Sequence, residues 1–294
     1  MSKNLFSSAP LRVDLAGGWT DVAPYPSDFG GEVVNFSINR RVRASREKIL
    51  GGDGEDFEFS FEAPRGSGLG TSGAMNVALA ALTSQEENTP EEIAEMAFVM
   101  ESDSGNICGR QDQWASAIGG FNHFLFIGNS VEIMPFEPMR SSKMWLRKHL
   151  LVVFSGITRK SGEIQKSVWD RYSRGDPLVI DGLSEIRKSA RTMANGLQQD
   201  RRDMVVNSLR QVCIGVDMID SKIHDPFRGV VNPLLESGSI VAWKALGAGC
   251  GGCAALLCSQ QGIEAAISSI ELAGWENIDW DFEEKGILFD EKIS

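Results

Sequence analysis

Apolar and polar positions alternate in twos through the first third of the chain. Leu11, Val13 and Leu15 are separated by Arg12 and Asp14, which predicts a strand over residues 5–16 with charge on one face. Phe57, Phe59 and Phe61 alternate with Glu58, Ser60 and Glu62, the pattern of a half-buried strand. Gly31–Ile38 and Arg41–Arg46 read as two more strands, with a loop over Gly51–Asp56. The period then lengthens. Met75, Val77, Ala78, Leu79, Ala81 and Leu82 predict a buried helix. Thr89, Pro90 and Glu92 form a capping box opening a helix whose stripe is Ile93, Met96, Ala97 and Met100. Phe121–Ile127 and Ser130–Ile133 read as a hairpin.

Residues 136–147, rich in Pro, Met and basic residues, mark the expected crossing between two domains, 1–147 and 148–294. Leu150–Phe154 predicts a strand, and Ile164–Tyr172 and Leu183–Leu197 predict helices. A long helix follows Asp200, with the stripe Val205, Leu209, Val212, Val216 and Ile219. Ser239–Leu246 reads as helical, Cys253–Cys258 as an apolar strand and Gln261–Ala273 as a helix. Ile278, Trp280 and Phe282 alternate before Ile287–Phe289, predicting a final hairpin.

The candidate chemistry centres on Ala63–Ala74, between the phenylalanine strand and the first long helix. Four glycines and three hydroxyls fall within Gly66–Gly73. Such a loop brings bare N–H groups and a helix N-terminus against an anion, so a polyphosphate cradle outweighs a simple tight turn. It is not a Walker A loop, because it has no lysine. Gly68, Gly70 and Gly73 satisfy G-x-G-x-x-G, but polar Ser84–Asn88 follows instead of the second acidic-ended strand of a dinucleotide site.

Charge and cysteines narrow the partners. With 294 residues and a net charge of −11, the chain is a globular protein unsuited to nucleic acid or an anionic membrane. No signal-peptide core and no run of ~18 apolar residues is present, and the cysteines are odd in number, which suggests reduced thiols in the cytoplasm. Cys250-x-x-Cys253 has no second pair or nearby histidine to complete a metal set, so packing is its better account.

Three further places offer site residues. Gly17-Gly18-Trp19-Thr20-Asp21 is a turn presenting an aromatic face beside a carboxylate. Glu101 falls in a last helical turn, where the dipole disfavours an anion, and a cation would compensate it. Asp112 sits near a helix N-terminus, where it stays ionised and suits a proton acceptor, or serves as a simple cap. Ile157-Thr158-Arg159-Lys160-Ser161 is a basic turn, its Arg159 and Lys160 either solvated or facing a substrate phosphate.

Ala9–Asp21, Pro64–Ala74 and Leu246–Cys253 together resemble, in order, the three motifs of the GHMP small-molecule kinases, the galactokinase, homoserine kinase and mevalonate kinase group. Within it, Arg12–Tyr25 is similar to fucokinases, while Gly109–Asn122 and Gly156–Ile164 look more like heptose-phosphate kinases. The chain departs from the family pattern at Gly73 and Cys250, each still small. The resemblance implies an α+β fold with a ribosomal S5 domain 2-like N-terminal domain and a ferredoxin-like C-terminal one. It implies an ATP-dependent kinase acting on a sugar hydroxyl, at C1 in those two groups, with a homodimer compatible. Pro64, Gly66, Ser67, Gly68, Leu69, Gly70, Thr71, Ser72 and Gly73 would hold ATP, and Ser72 and Glu101 its Mg²⁺. Asp112 would be the catalytic carboxylate with Arg12 beside it, and Gly18, Trp19, Asp21 and Gly249 would meet the sugar. A silent ATP- and sugar-binding sensor of the same fold is the runner-up, disfavoured because Arg12, Ser72, Glu101 and Asp112 are all present. A dinucleotide-dependent oxidoreductase is a distant third.

Overall fold

The computed structural model describes residues 3–48, 55–84, 88–157 and 161–293. The N-terminal half contains β1 (Lys3–Ala16), α1 (Tyr25–Asp28), β2 (Gly31–Lys48), β3 (Glu55–Phe61), α2 (Thr71–Thr83), α3 (Pro90–Asp103), α4 (Gln111–Ile118), β4 (Phe121–Ile127) and β5 (Ser130–Ile133). There follow α5 (Arg140–His149), β6 (Leu150–Phe154), α6 (Ser161–Ser173), α7 (Pro177–Gln198), α8 (Arg202–Asp220), a 3₁₀ turn (Ser221–Ile223) and α9 (Asp225–Glu236). The chain closes with β7 (Ile240–Ala245), β8 (Cys253–Cys258), α10 (Ile263–Leu272), β9 (Glu276–Ile278) and β10 (Leu288–Ile293). Helices α5 and α9 have no counterpart among the elements expected from the sequence.

One sheet runs β10-β1-β2-β4-β5, with β3 also on β2, and its paired strands are antiparallel. The two strands expected at 31–38 and 41–46 are one. Leu11 faces Ile38 while Pro10 faces Arg41, so Asn39 and Arg40 form a bulge within a continuous strand. That polar insertion breaks the alternation without ending the pairing. Helices α2 and α4 cover the sheet with alanine-rich faces, and the expected capping box at Thr89 is formed.

The second sheet runs β7-β8-β6-β9. It corrects the helix expected at Ser239–Leu246, which is the strand β7. Ala242 and Leu246 feed one core, while Ile240, Trp243 and Ala245 feed the other. A strand buried on both faces shows no period of two, so only its β-branched and aromatic content distinguishes it. Strands β6 and β8 divide in the same way, with Val152 on one side and Val153 on the other.

The predicted final hairpin is also corrected. β9 pairs with β6 in the second sheet and β10 pairs with β1 in the first, so the tail bridges the two. Arg41 holds this strap, donating to Ser8 O at 2.9 Å and Gly286 O at 2.6 Å. Phe36, Phe121, Trp280 and Phe282 cluster beneath it.

The fold thereby gathers four loops. The turn after β1, the glycine loop before α2 and the α3–α4 connection meet at the first sheet. The β7–β8 glycine loop docks onto the second of these, with Cys253 N–H donating to Ser67 O at 2.6 Å. Among the described residues, no helix is long and apolar enough to cross a membrane.

Candidate active site

The four loops enclose a cleft of about 600 Å³. Gly66, Gly68, Gly70, Thr71 and Ser72 form one wall, Trp19 and Asp21 another, and Gly247 and Ala248 close it. At its floor lies Arg12, a β1 side chain only 2% exposed. Its Nε and Nη2 donate to Asp112 Oδ1 at 2.8 and 2.6 Å, and its Nη1 donates to Gly68 O at 2.5 Å. One guanidinium therefore ties the carboxylate to the glycine loop, using the fork geometry that lysine lacks. The Asp112 side chain remains 28% exposed and lines the cleft.

Two glycines explain the closeness of this packing. Gly70 precedes α2 at φ +73°, and a Cβ there would lie 3.1 Å from Arg12 Cγ. A Cβ on Gly73 would lie 2.6 Å from Asp112 Cβ, so this position lets α4 lie against α2.

Glu101 is buried near the end of α3. It accepts from Gln113 Nε2 at 2.6 Å and Asn76 Nδ2 at 3.3 Å, with Ser72 as a further hydroxyl partner. Burial raises its pKa, and the Asp112 charge adds to that. Both neutral amides bind Oε2, and neither offsets the charge. A desolvated carboxylate beside an exposed hydroxyl fits a hard divalent cation. No cluster of three His, Cys, Asp or Glu side chains that could hold a metal occurs among the described residues, so the remaining ligands would be phosphate oxygens and water.

Asp21 occupies the opposite wall. Gln111 donates to it from its backbone N–H at 3.1 Å and its Nε2 at 3.2 Å, yet burial pushes its pKa up to about 7. The neighbouring Asp112 and Asp14 charges act in the same direction. Trp19 lies beside it at φ +84°, a strained backbone for a large side chain, with its ring 6.4 Å from Trp169 of α6. Because Asp21 binds its proton more tightly folded than unfolded, its share of stability is complete below about pH 4. That share is lost as pH rises from 3.8 towards about 7. Asp21→Asn is expected to flatten the fall in thermal midpoint between about pH 5 and 7. An unchanged slope would assign that fall to other groups.

The cleft thus unites Arg12, Trp19, Asp21, the glycine loop, Glu101 and Asp112. Other candidates lie behind it. Ser67 and Leu69 are fully buried, and Gly18 packs beside Asp14 Oδ2. Gly249 packs on Ile223, leaving Gly247 and Ala248 of its loop on the cleft. Arg159 and Lys160 lie outside the described residues. The amides Asn76, Gln111 and Gln113 carry no local sequence signal beyond polarity at a helical position facing the core.

The molecule is α+β, with the glycine-loop cleft lying between its two sheets. Residues 38–120 match the GHMP kinases N terminal domain. The chain is 27% identical to the D-glycero-alpha-D-manno-heptose 7-phosphate kinase of Campylobacter jejuni, over 85% of this chain and 88% of that protein. It is 24% identical to the bifunctional fucokinase/GDP-fucose pyrophosphorylase of Arabidopsis thaliana, over 84% of this chain and 29% of that protein. Its fold superposes on a D-glycero-D-manno-heptose 1-phosphate kinase from Bacteroides thetaiotaomicron with a TM-score of 0.76 at 20% identity, covering 99% of this chain and 100% of the other.

Proposed function

We propose that this protein is an ATP-dependent sugar kinase that transfers the γ-phosphoryl group to the anomeric hydroxyl of an aldose. The observation carrying this reading is the Arg12–Asp112 pair set directly against the glycine loop. It puts a proton acceptor and an anion-binding loop on one cleft, as phosphoryl transfer requires. The kinase names of the heptose-phosphate and fucokinase relatives support the sugar as acceptor. Five free cysteines and the nucleotide donor agree with a cytoplasmic enzyme.

The chemistry assigns each residue a task. Gly66–Gly73 receive the triphosphate through backbone N–H groups at the start of α2. Asp112 accepts the hydroxyl proton as the sugar oxygen bonds to the γ-phosphorus and the bond to the β-phosphate oxygen breaks, leaving ADP. Arg12 holds Asp112 in place and places positive charge beneath the transferring group. Asp21 and Trp19 orient the sugar. Ser72 and Glu101 would hold Mg²⁺, which when bound neutralises phosphate charge.

ADP release measured across a panel of aldoses tests the reading, with ³¹P NMR identifying the product. Turnover that survives removal of divalent cations would count against the Ser72–Glu101 assignment. Glu101→Gln is expected to raise the Mg²⁺ concentration needed for half-maximal rate. Binding of ATP and sugar without any ADP would favour the silent sensor instead.

A further inference from the structure

We infer that the tail strap positions the catalytic carboxylate: it fixes the C-terminal end of α4, with Gly286 as the point of contact, and so sets where Asp112 stands in the cleft. This inference rests on the kinase reading and concerns how its proton acceptor is held.

Helix α4 is 8 residues long and carries Asp112 in its first turn. At about 1.5 Å of rise per residue, Asp112 stands only about 7.5 Å along the axis from Ala117. A tilt of so short a rod is felt along all of it. The chain that follows adds little stiffness, because Gly119 and Gly120 succeed one another at φ +79° and +66°. Contacts from elsewhere must hold that end. On the N-terminal side, Glu95 of α3 accepts from Trp114 Nε1 at 2.7 Å, and Asp21 accepts from Gln111 N–H at 3.1 Å. A second clamp is needed to fix the axis.

The strap supplies it. The last carbonyls of a helix lack partners within the helix. Here Ala117 O accepts from Ile287 N–H at 3.0 Å, and Ala115 O accepts from Ser37 Oγ at 3.1 Å. Just past the helix, Gly120 N–H donates to Glu283 O at 2.8 Å, Glu283 N–H to Ser37 O at 3.0 Å, and Ser37 N–H to Gly120 O at 2.9 Å. Helix end, β2 and strap thus close a ring of backbone bonds.

Gly286 lies directly on the helix. A Cβ there would fall 1.9 Å from Ala117 O and 2.6 Å from Ile118 C, and a Cβ on Gly119 would fall 2.4 Å from Gly286 N. The backbone of Gly286 is not left-handed, so the missing Cβ is what this position requires. Charge holds the strap from outside. Asp279 and Asp281 face Arg147 of α5 at 3.6 and 3.5 Å, and Glu283 accepts from the buried Arg41 at 3.1 Å. Real Cβ contacts stay beyond 3.0 Å, so an added methyl would force strap and helix apart by about 1 Å. A misplacement of about 1 Å far from the chemistry can lower a rate by roughly 100-fold.

The test compares wild type with Gly286→Ala and with Val231→Ala, which truncates a fully buried α9 side chain in the second core and controls for lost stability. All three are assayed well below their thermal midpoints. Gly286→Ala is expected to lower kcat roughly 10- to 100-fold while the KM values for ATP and sugar hold. Val231→Ala is expected to lower the thermal midpoint and keep kcat. Amide hydrogen exchange is read alongside, and Gly286→Ala alone is expected to speed it across α4. Should Gly286→Ala fail to fold, Arg41→Lys is read in the same way. It keeps the charge facing Glu283 and loses the fork that reaches Ser8 O and Gly286 O. Unchanged kcat in the folded variant, an equal fall in the control, or α4 exchange no faster than in the control would each overturn the inference. Absence of ADP with every sugar in the wild type would count against the kinase reading, while exchange across α4 still decides whether the strap holds the helix.

Discussion

Asp112→Asn is expected to lower kcat by roughly 10²–10⁴-fold, the usual contribution of a general base, while leaving ATP binding close to wild type. The amide matches the carboxylate in shape and can still accept from Arg12 at the 2.6–2.8 Å positions now held by Oδ1. The carboxylate charge is lost, so the hydroxyl proton has no acceptor at the reacting atoms. Because Asp112 is partly exposed and Arg12 is buried, the cost falls mainly on chemistry and only modestly on stability. Steady-state ADP release, with a circular dichroism melt as the folding control, measures both. Full turnover in a folded variant would remove Asp112 from the mechanism.

The largest effect on stability is expected at the Asp14–Lys244 pair. Lys244 Nζ donates to Asp14 Oδ2 at 2.6 Å, and both side chains are almost fully buried. The pair joins β1 to β7, one residue lying just before the Gly17–Asp21 turn and the other just before the second glycine loop. Burial lowers the Lys244 pKa, with the Asp14 charge opposing that shift. Among the described residues, Asp14 Oδ1 has no hydrogen-bond partner. Lys244→Met should therefore strand a buried carboxylate and cost about 3–5 kcal/mol. Adding Asp14→Leu should recover most of that loss, since replacing a buried pair by apolar groups is often neutral or stabilising. Urea denaturation midpoints decide the matter. A single variant as stable as the double would mean the carboxylate is relieved by other means.

Much of the site was legible because its residues sit at places local physics marks out. The glycine loop before α2 and the capping box at Thr89 follow from backbone chemistry alone. Glu101 drew attention as a carboxylate at the wrong end of a helix, and its burial among amides gives that placement a reason. The motif resemblance linked the three loops, and the fold brings all of them to one cleft.

By itself the sequence determined β3, α3 and α8, elements with one wet face and one dry face, because there the hydrophobic period reports the local geometry. It also determined the glycine loop before α2, whose glycines are required by close approach at Gly70 and Gly73. Tertiary structure alone decided that Ser239–Leu246 lies in a sheet, since burial on both sides erases the period. It decided that the tail splits between two sheets, and that Asp14 meets Lys244 across 230 positions. It also placed one face of α6, with Gly162 and Gln165, on the cleft. These depend on contacts distant along the chain, which a local pattern does not encode.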